Sequence, residues 1–160
     1  MSTIDSREFR NCCGRFATGV TIVTAELDGQ RHGMTANGFM SVSLEPPTVL
    51  VSVGKRAKTH DLLAQSGSYG VSVLRETQQA LSNHFAGYPV ESIQIPWEEL
   101  GGVPVIGGTL AQFTVRIVDA HEVGDHTLFI AEVVAMRYDE GKPLLYYYSG
   151  YGQFHDYSHG

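Results

Sequence analysis

Met34-Thr35-Ala36-Asn37-Gly38-Phe39-Met40-Ser41-Val42-Ser43-Leu44-Glu45-Pro46-Pro47-Thr48-Val49-Leu50-Val51-Ser52-Val53-Gly54-Lys55-Arg56-Ala57-Lys58-Thr59 is the stretch around which the chain is organised. It opens on small side chains, Thr35 to Gly38, which leave backbone N–H and C=O groups free to approach a flat polar ligand. Two apolar runs follow, Phe39 to Leu44 and Thr48 to Val53. They read as strands parted by Glu45-Pro46-Pro47, whose prolines cannot donate to a ladder and mark a turn or a sheet edge. The end of the stretch sets Lys55, Arg56 and Lys58 beside a helix start at Thr59, where free N–H groups and the helix dipole favour an anion. A ring edge at one end and a phosphate at the other is one reading; a solvated basic corner on an ordinary β-domain is the other.

At 160 residues the length predicts a single domain over 1–160 with room for a full core. Eighteen glycines, 42% apolar and 18% charged residues describe a globular chain with many tight turns. A net charge of −6 with scattered Lys and Arg offers no basic face for nucleic acid and no basic amphipathic helix for a membrane surface. No signal-peptide pattern opens the chain, and no apolar run approaches the roughly 18 residues a membrane span needs, so a cytoplasmic location is expected. The two cysteines, Cys12 and Cys13, are adjacent on a predicted helix, which disfavours a disulfide, fits a reducing compartment and predicts buried or half-buried free thiols.

Working outward, Asp5 and Glu8 form a capping-box pattern that opens a helix with Phe9, Cys12, Cys13 and Phe16, ending before Gly19 and expected to cover one end of a sheet. Val20 to Glu26 reads as a strand, and Asp28-Gly29 as the tight turn that returns the chain through Arg31 to Ala36. Thr59 to Gln65 predicts a short helix closed near Gly67, and Tyr69 to Leu74 a strand. Glu76 to Phe85 predicts a second helix with Ala80, Leu81 and His84 or Phe85 inward. A loop runs to Trp97, and Val103 to Ile106 is a short strand. Ala111 to Ala120 alternates, with Ala111, Phe113, Val115 and Ile117 on one face and Gln112, Thr114 and Arg116 on the other. His126 to Tyr138 and Leu144 to Tyr148 are the last strands, followed by an irregular tail. Antiparallel strands with tight turns and short helices predict a mainly β, closed or half-closed barrel. No strand-GxGxxG-helix unit supports a doubly wound nucleotide fold.

Seven histidines raise the question of a metal. His121 and His126 flank one turn with Glu122 and Asp125, and His155 and His159 lie four apart near the chain end, but neither set has the spacing of a zinc motif, so no metal site is expected. No Gly-x-Ser-x-Gly elbow points to a hydrolase.

Several segments together carry a family resemblance. Phe16-Ala17-Thr18-Gly19-Val20-Thr21-Ile22-Val23-Thr24, His32-Gly33-Met34-Thr35-Ala36-Asn37 with Ser41-Val42-Ser43, Leu81-Ser82-Asn83-His84-Phe85-Ala86-Gly87, and Gly124-Asp125-His126-Thr127-Leu128-Phe129 resemble the short-chain flavin reductases. The likeness runs in order from about Phe9 to Tyr151, and is nearest to the reductase components of two-component phenol and 4-hydroxyphenylacetate monooxygenases. It implies an antiparallel, Greek-key, FMN-binding split barrel, usually a homodimer, that reduces FMN or FAD with NADH in preference to NADPH. The reduced flavin would go to a separate monooxygenase.

Carried over, Met34, Thr35, Ala36, Asn37 and Gly38 line the isoalloxazine edge, with Ser52, Val53 and Gly54 close by. Ala57, Lys58 and Thr59 meet the flavin phosphate, joined by Asn83 and Phe85. The Gly-Asp-His motif gives His126 the nicotinamide-binding and catalytic role. Gly38 stands where members of that family often carry Ser or Ala, and Ala131 where they often carry Gly before Glu-Val. The chemistry agrees, because hydride transfer between two cofactor rings asks the protein to stack rings and stabilise an anionic product and asks for no acid or base. Two alternatives share these residues: a flavoprotein reductase of another acceptor, ferric iron or a corrinoid, and a non-catalytic flavin-binding module.

Overall fold

The structure, a computed structural model, describes residues 3–157. Its elements in chain order are α1 (Ser6–Cys13), β1 (Thr18–Gly19), β2 (Thr21–Leu27), β3 (Gln30–Ala36), β4 (Phe39–Leu44), β5 (Pro47–Gly54), α2 (Lys58–Ser66) and β6 (Ser68–Val73). They continue with α3 (Gln79–Phe85), β7 (Trp97–Leu100), β8 (Val103–Ile106), β9 (Ala111–Val123), β10 (His126–Tyr138), β11 (Leu144–Tyr147) and β12 (Gly150–Gln153). Seven strands form one antiparallel sheet in the order β3-β2-β6-β9-β10-β5-β4; β1-β11-β12 and β7-β8 form two smaller ones.

The order of the large sheet dictates its shape. β3 and β4 are its opposite edges, yet only Asn37 and Gly38 separate them in the chain. Laid flat, seven strands about 4.8 Å apart would hold those edges about 29 Å from each other. The three Cα steps from Ala36 to Phe39 reach about 11 Å at most. The sheet therefore curls until its edges meet, giving the expected split β-barrel with its seam at Asn37-Gly38. At the seam Ser52 N–H donates to the Gly38 carbonyl at 2.8 Å. A Cβ on Gly38 would come within 3.3 Å of Ser52 Cβ, so the crossing favours the smallest side chain.

Inside the barrel Val23, Val51, Val53, Tyr69, Val71, Val115 and Phe129 are buried, and α2 contributes Leu63. The Tyr69 hydroxyl donates to the Phe129 carbonyl at 2.8 Å, and burial pushes its phenol pKa up. A second cluster, Val20, Ile22, Leu74, Leu81, Ile106 and Leu144, joins β2 to α3, β8 and β11. Hence β2 is covered on both faces, and Thr21 to Ala25 are all buried. Each fully buried aliphatic side chain contributes about 1.5 to 3 kcal/mol.

Some expectations need correction. The first helix stops at Cys13, where Gly14 N–H bonds back to the Arg10 carbonyl, and none of its residues is buried. Cys12 and Cys13 are exposed free thiols, not buried ones. Asp5 does cap it, accepting from Arg7 and Glu8 N–H. The two faces of β9 divide as alternation predicts, with only Arg116 exposed among the three polar residues because the β7-β8 hairpin covers that face: Gln112 Nε2 donates to the Ile106 carbonyl at 2.5 Å and Thr114 Oγ1 to the Leu100 carbonyl at 2.6 Å. The α3 helix begins only at Gln79, since Arg75 to Gln78 is a turn closed by Gln78 N–H on the Arg75 carbonyl; Ala80 faces solvent. The tail expected to be irregular forms β12. His159 of the His155/His159 pair lies outside the described residues.

Candidate active site at the barrel seam

A cleft of about 590 Å³ opens at the seam. β3 brings Met34, Thr35 and Ala36 to one wall, and the connection adds Asn37. α3 supplies Ser82, Asn83 and Phe85, with Tyr88 at the rim; the β11-β12 hairpin supplies Tyr146, Ser149 and Tyr151. The walls are pinned by hydroxyls. Thr21 Oγ1 donates to the Ala36 carbonyl at 2.7 Å and Thr35 Oγ1 to the Ser82 carbonyl at 2.6 Å. Phe85 owes its place to Gly33: a Cβ there would come within 2.7 Å of the ring, which also meets Trp97 edge-on.

Met34, Thr35, Ala36, Asn37, Asn83 and Phe85 of the expected site thus share one cleft. The other expected residues form a strip leading away from it. Gly38 sits on Ser52, two residues before Gly54, and Gly54 pairs with His126 across the β5-β10 ladder. Lys55 N–H donates to the Asp125 carbonyl at 2.9 Å, and Lys55 Nζ lies 3.5 Å from Glu122 Oε1, so the turn after β5 and the β9-β10 turn form one corner. Ala57 is the N-cap of α2 and makes no side-chain cap, which leaves the first N–H groups of that helix free. The helix begins at Lys58, one residue earlier than expected. Lys58 is exposed, whereas the side chains of Val53 and Thr59 are buried, so those two can offer a ligand only their backbone. Asn83 and Phe85 line the cleft with Thr35 to Asn37, whereas Ala57, Lys58 and Thr59 are not among its lining residues.

His126 is half-exposed, with Nδ1 2.8 Å from Asp125 Oδ1. That hydrogen bond, with the histidine's charge, holds the Asp125 carboxyl below the usual carboxylate range. Sequence reasoning missed Ser82 and Tyr88, on and just after α3, and Tyr146, Ser149 and Tyr151, whose placement depends on a hairpin carrying no Asn-Gly or Asp-Gly signal. It also missed His60, whose Nε2 lies 2.7 Å from Thr127 Oγ1 and whose ring meets Phe129 edge-on, tying α2 to β10 beside His126. Among the described residues no cluster of three His, Cys, Asp or Glu side chains could hold a metal, and no helix is long and apolar enough to cross a membrane.

The donor set fits a flavin: a slot of drug-sized volume, aromatic walls from Phe85, Tyr146 and Tyr151, and a polar edge of Thr35, Asn37 and Asn83 beside backbone outside the ladder. Residues 13–155 match the flavin reductase like domain. The chain belongs to this family. Within the flavin reductase family it is 45% identical over 141 residues to an NADH-dependent flavin reductase of a Rhodococcus species, covering 86% of this chain and 80% of the relative. It is 43% identical over 144 residues to the reductase component of the 4-hydroxyphenylacetate 3-monooxygenase of Thermus thermophilus, covering 89% and 93%. The solved structure of the flavin reductase PheA2 in its native state superposes with a TM-score of 0.93 at 48% identity, over 96% of this chain and 100% of that one.

Proposed function

We propose that this chain, read as one flavin reductase domain over 1–160, reduces FMN or FAD with NADH and passes the reduced flavin to a separate monooxygenase. The observation that carries the reading is the seam cleft, where unladdered backbone and Thr35, Asn37 and Asn83 face aromatic walls in one slot. When bound there, flavin supplies the chemistry by accepting hydride from nicotinamide.

The chain's own residues bind and orient. Backbone from Met34 to Gly38 meets the carbonyl and ring-nitrogen edge, helped by Ser52 and the backbone of Val53 and Gly54. Lys58 and the free N–H groups after Ala57, including that of Thr59, hold the flavin phosphate at the uncapped start of α2. Asn83 and Phe85 hold the cleft's second wall. His126, fixed by Asp125 over Gly54, receives the nicotinamide. A preference for NADH over NADPH follows by analogy with the family, one relative being an NADH-dependent flavin reductase.

The exposed Met40, Val42 and Leu44 of β4, with Val134 and Met136 of β10, support a homodimer joined at this apolar surface. Free exposed thiols at Cys12 and Cys13 support a reducing, cytoplasmic home. Steady-state NADH oxidation with and without FMN, FAD or riboflavin tests the function. Oxidation that depends on added flavin and saturates with it supports the reading. Oxidation independent of added flavin transfers the assignment to a tightly held flavin serving another acceptor.

A further inference from the structure

We infer that Tyr151, on the C-terminal hairpin, is a positioning residue that sets the flavin-facing edge of the cleft by acting through Ser82 on Thr35. The inference rests on the reading of the cleft as the flavin site. Ser82 is fully buried and sits at the centre of the arrangement. Its carbonyl accepts from Thr35 Oγ1 at 2.6 Å, and its own Oγ lies 2.6 Å from the Tyr151 hydroxyl. The three residues come from β3, α3 and β12, and the two bonds span 47 and 69 residues of sequence, so they lock together three walls that no single ladder joins.

The bonds also set polarity. A carbonyl oxygen can only accept, so the one Thr35 hydroxyl proton is committed to Ser82, and toward a ligand Thr35 Oγ1 is an acceptor alone. An acceptor there selects the N–H of a flavin ring over a carbonyl. If Ser82 shifts, that proton is released and the selection is lost.

The hairpin is braced from outside as well. At its tip Tyr148 and Ser149 both have positive φ, 48° and 61°, a conformation bulky side chains avoid and which persists only where the surroundings enforce it. Here Tyr148 N–H donates to the Gly14 carbonyl at 3.1 Å, and the Arg15 guanidinium lies 4.1 Å over the Tyr148 ring. Ser149, between this brace and Tyr151, lines the cleft. The segment after α1 therefore holds the hairpin tip while Tyr151 ties the hairpin to Ser82, and the Tyr146 ring lies 5.6 Å from that of Tyr151.

Tyr151→Phe removes one oxygen and keeps the ring. Titration of the full-length protein with FMN and with FAD, read by flavin fluorescence, should show a dissociation constant about five- to tenfold higher in Tyr151→Phe, the scale of one lost hydrogen bond. The flavin KM should rise in step while the NADH KM stays within about twofold, a split that general loosening would not give. Ser82→Ala should weaken flavin binding similarly, and the double variant should be no weaker than the weaker single one. Wild-type binding with unchanged affinity in Tyr151→Phe overturns the inference. So does an equal rise in both KM values with a lowered melting temperature, which makes the bond structural only. Failure of the wild type itself to bind either flavin removes the underlying reading of the cleft, and this inference with it.

Discussion

His126 stands over Gly54: the two pair across the β5-β10 ladder, and a Cβ on Gly54 would lie 3.8 Å from His126 Nε2. With Nδ1 occupied by Asp125, the face of the ring and Nε2 are what the histidine can offer. His126→Ala should raise the NADH KM by roughly 5- to 30-fold, equivalent to about 1 to 2 kcal/mol, with flavin affinity within about twofold. Equal losses for both ligands would assign His126 to structure.

The Asp125 carboxyl titrates below its ordinary value of about 3.9 because His126 bonds and attracts it. A carboxyl depressed in the folded state stabilises the fold above its unfolded pKa, and the contribution fades as pH falls through the folded value. Melting temperatures of wild type and Asp125→Asn should therefore differ slightly above about pH 4 and converge below it. The effect is small because the carboxylate is fully exposed. A difference that grows in acid would contradict the assignment.

Lys58 is the exposed cation at the uncapped start of α2. Lys58→Ala should weaken flavin binding by roughly 1 to 2 kcal/mol, the scale of a charge-assisted bond to phosphate, and should leave riboflavin binding unchanged. Equal loss for riboflavin would place the effect away from the phosphate.

Gly33→Ala should destabilise the fold by about 1 to 3 kcal/mol in urea unfolding, since the added methyl meets the Phe85 ring at 2.7 Å and the ring is itself packed edge-on with Trp97. Unchanged stability would mean that Phe85 moves freely, and the cleft wall with it.

Local chemistry made much of this legible. The Asp28-Gly29 turn, the two runs around Pro46-Pro47 and the small residues of Thr35 to Gly38 mark strands, turn and seam directly, because each depends on its own side chains. Thr35 to Asn37 and the Leu81 to Phe85 helix could be joined in one site only through the family resemblance, since the bond from Thr35 to Ser82 spans 47 residues. Gln112 and Thr114 take the face that alternation assigns them, but alternation describes one strand and cannot report that the β7-β8 hairpin covers that face. Tyr151 left no signal at all, for its value lies in a contact with Ser82 from the far side of the chain.

The most direct test of the central claim is to load the protein with one equivalent of flavin without oxygen, add NADH, and follow the visible absorbance of the flavin. The account predicts that the flavin bleaches as NADH is consumed, one for one, faster than free flavin mixed with NADH. Flavin that binds and stays oxidised, or bleaches no faster than in solution, would contradict it and leave a flavin-binding barrel without reductase activity.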